Sequence, residues 1–369
     1  MHHPGDGLTP IGERRRSRRS LVIALVVCAI VVIGLLPSPF IVEKPGPTVD
    51  VLGETIVDGE SEPVLSVSGV PAYAGDGSLR LTTVSVVGSP DRPRNWWAIA
   101  RAVVDPSQSI APLEQYFPGE TTADDRAEWN SALMVDSQTQ AAAAAFREIG
   151  EDVSITLRVA SVVESGPADG ILQSGDVIVA AAGHPVSDFT DLRERIGATE
   201  AGRGLTVQVE RDNQAVEVLL DPQIPEGGIS PMIGATIAVD YELPAEIEVA
   251  LDDIGGPSAG LIFALGIVEL LSPDTRLGDT SVFGTGTIDD RGAVWAIGGL
   301  EQKMWAASRA GGGAFLMPLD NCVDVPSTIP PGLDVFPVAT LGEALESIDA
   351  AAEENAPGGL ERCAVSSAR

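Results

Sequence analysis

Residues 252–271 read DDIGGPSAGLIFALGIVELL, and residues 285–303 read TGTIDDRGAVWAIGGLEQK. In the first stretch two glycines and a proline lead directly into Ser258, and a long apolar segment follows. That pattern predicts a helix with Ser258 at its N-terminus, where unpaired backbone N–H groups and the positive end of the helix dipole favour an anion. The same donors suit the oxyanion of an acyl-transfer reaction. Taken by itself, the serine reads equally as a plain helix cap. In the second stretch Gly298 and Gly299 open another helix, where Leu300, Met304 and Ala307 mark a buried stripe and Lys303 flanks it. An amine held against an apolar face is partly desolvated, which lowers its pKa and lets the neutral form accept a proton. Such a lysine can activate a serine hydroxyl without any histidine. Alone, Lys303 also reads as a surface lysine that buries only its stem.

Composition narrows the options. A chain of 369 residues predicts two or three domains, and 44% hydrophobic with 21% charged residues is the make-up of a folded protein. The net charge of -30 excludes a general affinity for nucleic acid and argues against peripheral binding to an anionic lipid surface. Among the 23 basic residues only Lys44 and Lys303 are lysines. Arginine keeps its proton in a protein whereas lysine can lose it, so each lysine calls for a reason. The histidines are His2, His3 and His184, and His184 stands in a GHP turn, which leaves a Ser-His-Asp site without a well-placed base. No GxxxxGK segment occurs, so no ATP-driven motor is encoded here. No Cys/His cluster has metal-ligand spacing, so neither a metal nor a cofactor is expected.

The apolar segment Leu21–Leu36 follows RRRSRR after a single serine, Ser20. At 1.5 Å per residue it covers about 24 Å, a little less than a ~30 Å hydrocarbon core, and extension towards Phe40–Val42 would complete a span. This predicts a single-pass anchor over residues 21–40 and a basic cytoplasmic tail over 1–20, with the bulk of the chain outside the cytoplasm. A cleaved signal peptide has a similar opening, but no small-x-small cleavage site follows Leu36. Residues 43–148 read as short strands and then helices, with no assignable chemistry. The end, 351–369, reads as an acidic loose tail unless Cys363 ties it down. Cys322 and Cys363 form the extracytoplasmic pair that oxidising surroundings would permit to bridge.

Residues 149–222 alternate as strands around a helix at 188–197, with Asp188 or Thr190 near its cap. The order of elements, with the segment SGPADGILQSGDVIVAAAGHPV, resembles a PDZ domain of the kind attached to envelope proteases. The resemblance implies a protein or peptide partner bound by its C-terminus, adding a strand to the sheet edge. It places the carboxylate loop near Ile149–Asp152, just before Val153.

GGPSAG, TGTIDDRGAVWAIGGLEQK and AGGGAFLMPLDNC, in that order, resemble the proteolytic domain of the Lon (S16) peptidases across residues 228–350. By that resemblance Ser258 is the nucleophile, Lys303 its general base, and Thr285 a hydroxyl that helps orient the pair. Many members carry an aspartate three residues before the serine; here that position is Gly255, with Asp252 and Asp253 nearby. The whole arrangement is similar to the YlbL-like envelope proteins. The expectation is therefore an α+β chain: an N-terminal transmembrane helix, a β-rich PDZ-like domain and a Lon-type domain. Its expected activity is that of an ATP-independent endopeptidase cutting unfolded or exposed protein segments. Lon-type domains work as rings, which implies homo-oligomers. The alternative is a PDZ-containing scaffold that no longer cuts.

Overall fold

The computed structural model describes residues 11–57, 59–73, 75–200, 202–225, 228, 230–251, 254–352 and 359–366. Along the chain run α1 (Ile11–Leu35), β1 (Phe40–Asp50), β2 (Ser78–Val87), α2 (Trp96–Val103), β3 (Ser109–Pro112) and α3 (Ala123–Glu148). Then come β4 (Ser154–Val162), β5 (Val177–Ala181), α4 (Phe189–Ala198), β6 (Leu205–Arg211), β7 (Gln214–Leu220) and β8 (Ala235–Glu242). The last part holds α5 (Gly260–Leu271), β9 (Ser281–Gly284), α6 (Leu300–Arg309), β10 (Gly313–Pro318), β11 (Leu333–Val338), α7 (Leu341–Ala352) and α8 (Glu361–Ser366).

Two compact units result. The first gathers residues 1–66, 72–141 and 248–369; the second comprises 67–71 and 142–247 and so interrupts the first in sequence. Of residues 43–148, to which the sequence assigns no chemistry, 43–66 and 72–141 thus belong to the same unit as Ser258 and Lys303.

The first unit is built on a sheet ordered β11-β10-β9-β2-β1-β3, parallel from β11 to β2 and antiparallel from β2 to β3. Parallel strands need cover on both faces. Because side chains alternate along a strand, Phe315 and Met317 share one face of β10 and Leu316 takes the other. On the first face Phe283, Phe315, Met317 and Val335 pack against Leu300, Met304 and Ala307 of α6. On the second, α5 lies so close to β9 that a Cβ on Gly284 would meet Ile262 Cδ1 at 2.7 Å. Every residue of α5 from Gly260 to Glu269 is buried, which is why its sequence is apolar all round. The expected loose tail is corrected at Cys363: a disulfide to Cys322 ties α8 back, and Leu360 and Cys363 pack against the α6 cluster.

The second unit carries the sheet β7-β6-β5-β4-β8. Its core joins Leu192 and Ile196 of α4 to Leu157, Val159, Val207 and Val209. Asp188 caps α4 by accepting from the Asp191 amide, and Asp212–Asn213 turn the β6–β7 hairpin with φ of 51° and 60°. The buried Asp176 is held by a bidentate pair from Arg211 at 2.7 and 2.6 Å.

Among the described residues no helix is long and apolar enough to cross a membrane. The side chains of α1 are described only from Leu21, and from there to Leu36 its large apolar groups are exposed. The helix is not continued towards Val42: Pro37 and Pro39 cannot supply helical N–H donors, and Phe40 begins β1, whose Ile41 and Val42 enter the protein core.

Candidate active site

A cleft of about 570 Å³ opens at the C-terminal end of β9. Its walls are Thr82–Val86 of β2, Glu43 and Pro47 of β1, Tyr116, Met134 of α3, the loop Ile254–Ala259, and Gly298, Gly299 and Lys303. It therefore brings Ser258 and Lys303 together.

Ser258 sits in a single 3-10 turn, Pro257–Ala259, that runs into α5. Gly256 precedes it at φ 92°, a backbone state that only glycine adopts without strain. The amides of Ser258 and Ala259 open this turn and have no earlier helical carbonyl to bond. α3 fixes the loop from outside: Asn130 O accepts from Gly256 N at 2.8 Å, and Ser137 Oγ donates to Pro257 O at 2.9 Å. Gly255 owes its identity to the same packing. A Cβ there would lie 2.8 Å from Asn130 Cβ, so the aspartate seen in many Lon-type sequences has no room. Asp252 and Asp253 lie outside the described residues.

Thr285 follows Gly284 at the end of β9 and is fully buried. Since Gly284 faces α5, Thr285 faces the α6 side. Its hydroxyl donates to Ser258 O at 3.0 Å and accepts from Lys303 Nζ at 2.9 Å. The Gly286 amide also donates to Ser258 O, at 2.9 Å. One threonine thus ties the serine's backbone to the lysine's amine. Ser258 Oγ itself has no hydrogen bond among the described residues, so the amine's direct contact is with Thr285.

Lys303 lies in the first turn of α6, which starts after Gly299 at φ 67°. It is 3% exposed. Desolvation alone lowers its amine from the ordinary 10.5 to about 7, so a large fraction is neutral near neutral pH. An unprotonated amine beside a hydroxyl, at a helix N-terminus whose first amides have no partner among the described residues, is equipped for general-base-assisted attack by Ser258.

Across the cleft the Glu43 carboxylate accepts from Tyr116 OH and Ser109 Oγ. Sequence reading missed Glu43, Thr82–Val86, Tyr116, Asn130, Met134 and Ser137 altogether. They come from elements far away in the chain, and none sits in a local motif that announces a site.

The second unit corrects the expected peptide edge. β4, the strand after Ile149–Asp152, pairs with β5 on one side and along its whole length with β8 on the other. No peptide can add there. The sheet ends in β7 on one side and β8 on the other, and β8, next to β4, is entered through Ile233 and Gly234 at φ 71°. Ile237 and Val239 of β8 pack on the same core as Leu192 and Ile196 of α4. The signal that could have located it is Ile233-Gly234-Ala235, a glycine between apolar residues opening an alternating strand.

Comparison with known proteins finds two family matches, the first mostly within the second unit and the second within the first unit. Residues 132–221 match the PDZ domain family, and residues 249–350 match the Lon protease (S16) C-terminal proteolytic domain. A Lon protease from Azospirillum brasilense is 31% identical over 36% of this chain and 16% of its own length. That of Escherichia coli strain K12 is 35% identical over 29% of this chain and 13% of its own, and Lon protease 1 of Sorangium cellulosum is 40% identical over 24% and 11%. The chain therefore spans about a sixth or less of the length of these relatives.

Proposed function

From a chain that carries a PDZ domain followed by a serine-protease domain of the S16 type, we propose a membrane-anchored endopeptidase that works outside the cytoplasm without ATP. The observation that carries the reading is the buried Lys303 amine, poised at about 7 and hydrogen-bonded to the threonine that holds Ser258. A non-cutting scaffold has no use for so costly a group.

In the proposed reaction Lys303 Nζ takes the proton of Ser258 Oγ as the oxygen attacks a peptide carbonyl. The carbonyl oxygen becomes an oxyanion held by the amides of Ser258 and Ala259, aided by the dipole of the turn and α5. The resulting ammonium returns its proton to the leaving amine, and the C–N bond breaks. Water, deprotonated by the same amine, then releases the acyl group from Ser258. Thr285 positions the amine throughout and does not take part in bond changes.

The substrate lies extended. β2 is paired with β9 only over Ser78–Leu81, so Thr82–Val86 offer a strand edge along the cleft wall. Unfolded tails and loops fit such an edge. The β8 edge suits a C-terminal peptide by strand addition. The apolar, exposed run Leu21–Leu36 after RRRSRR supports anchoring with the N-terminus in the cytoplasm.

A fluorophosphonate probe tests the nucleophile. Labelling at Ser258 that disappears in Lys303→Met supports the reading; labelling elsewhere, or equal labelling of both chains, contradicts it.

A further inference from the structure

Lys44 has no part in the catalytic cleft. Adjacent residues of a strand face opposite sides: Glu43 lines the cleft, while Lys44 lines a second cavity of about 420 Å³ on the other side of β1. Arg94 and Arg101 line it too, with Trp97 beside them. Among the described residues none of the three cations has an acidic partner, although the chain holds 53 acidic residues against 23 basic ones. Three unpaired positive charges around one cavity in so acidic a protein point to an anionic ligand.

The surroundings identify its source. The cavity lies where α1 ends: Trp96 N bonds to Leu36 O, Ser38 N to Arg94 O, and the Trp97 indole fills the space a side chain at Gly34 would need. α2 buries Ile99 and Ala102 and leaves Trp96 and Trp97 39% and 46% exposed, with Val103 and Val104 beyond at 70% and 78%. Exposed tryptophans next to an exposed apolar helix end are the composition of a membrane–water interface. Arginine and lysine there lay their stems on apolar surface and turn their charges to phosphates.

We propose that Lys44, Arg94, Arg101 and Trp97 form a binding site for the phosphate of an anionic lipid headgroup, seating α2 on the membrane surface. This rests on the reading of α1 as an anchor. The net charge of the chain argues against general adhesion to an anionic surface, but a local site is spared most of that repulsion, because exposed charges beyond about 8 Å are screened at physiological salt. Local cations therefore decide which lipids gather at this point.

The test uses the full chain in phosphatidylcholine nanodiscs titrated with phosphatidylglycerol that carries a nitroxide quencher on the headgroup. Tryptophan emission is read, and flotation with neutral vesicles serves as a separate control for anchoring. The expected result is quenching that saturates at a low phosphatidylglycerol fraction and weakens with added salt, with inorganic phosphate a poor competitor. In the Lys44→Gln, Arg94→Gln, Arg101→Gln chain the required fraction rises on the order of fivefold for each cation removed. Quenching indifferent to lipid charge or to the three substitutions, with flotation intact, overturns the headgroup site alone. Equal competition by inorganic phosphate also overturns it, in favour of a free-anion site. Loss of flotation in neutral vesicles removes the anchor reading and this site with it.

Discussion

Lys303 carries the cost of burying an amine, and desolvation is the cause of its lowered pKa. The sign of the consequences follows. Below about 7 the amine is charged in both the folded and unfolded states, and its burial is unfavourable. Between about 7 and 10.5 the unfolded chain holds a proton that the folded chain has released, so this group's contribution to stability rises with pH. Peptidase activity is expected to rise through about pH 7 as the base becomes neutral. Comparing thermal unfolding of the wild type and Lys303→Met across that range should show Met more stable at low pH, with the gap closing as pH increases. A gap independent of pH would mean that the amine is not desolvated in solution. Thr285→Val should leave the fold intact and lower kcat by about five- to tenfold, the weight of a positioning hydrogen bond worth about 1 to 1.5 kcal/mol. Unchanged kcat would remove Thr285 from the site.

At the scale of elements, the 3-10 turn that presents Ser258 depends on α3. Gly255→Ala brings a Cβ within 2.8 Å of Asn130 Cβ and pushes the loop off α3. We expect kcat to fall while far-ultraviolet circular dichroism stays unchanged; full activity would show that the loop is free to shift. In the second unit, a bound C-terminal peptide should slow amide exchange along β8. Slowing confined to the opposite edge strand, β7, would rule out β8 as the docking edge. Much here was legible in the sequence: the helix after Ser258, the α6 stripe beside Lys303 and the Asp188 cap are all set by local pattern. The position of the peptide edge was not. A strand's edge or interior place is decided by which distant segment pairs with it, and β4 is covered by β8, more than seventy residues later.

Over the whole molecule the same limit appears on a larger scale. The catalytic unit draws β1, β2 and α3 from the first part of the chain and α5 to α8 from the last, with residues 142–247 between them. Motifs revealed the later half, where Ser258, Thr285 and Lys303 lie; the earlier half offers no motif, because its task is to supply sheet and walls. The Cys322–Cys363 bridge closes a sequence separation of 41 residues. Replacing both cysteines with serine should lower stability by about 2 to 4 kcal/mol in chemical denaturation. No change would show that packing alone holds α8.

The most direct test of the central claim is cleavage of an unfolded, casein-like substrate by the full chain without nucleotide, with products identified by mass spectrometry. The wild type, Ser258→Ala and Lys303→Arg are compared side by side. The account predicts fragments from the wild type alone, since Ala lacks the nucleophile and arginine cannot give up its proton. Equal fragments from all three chains would contradict it.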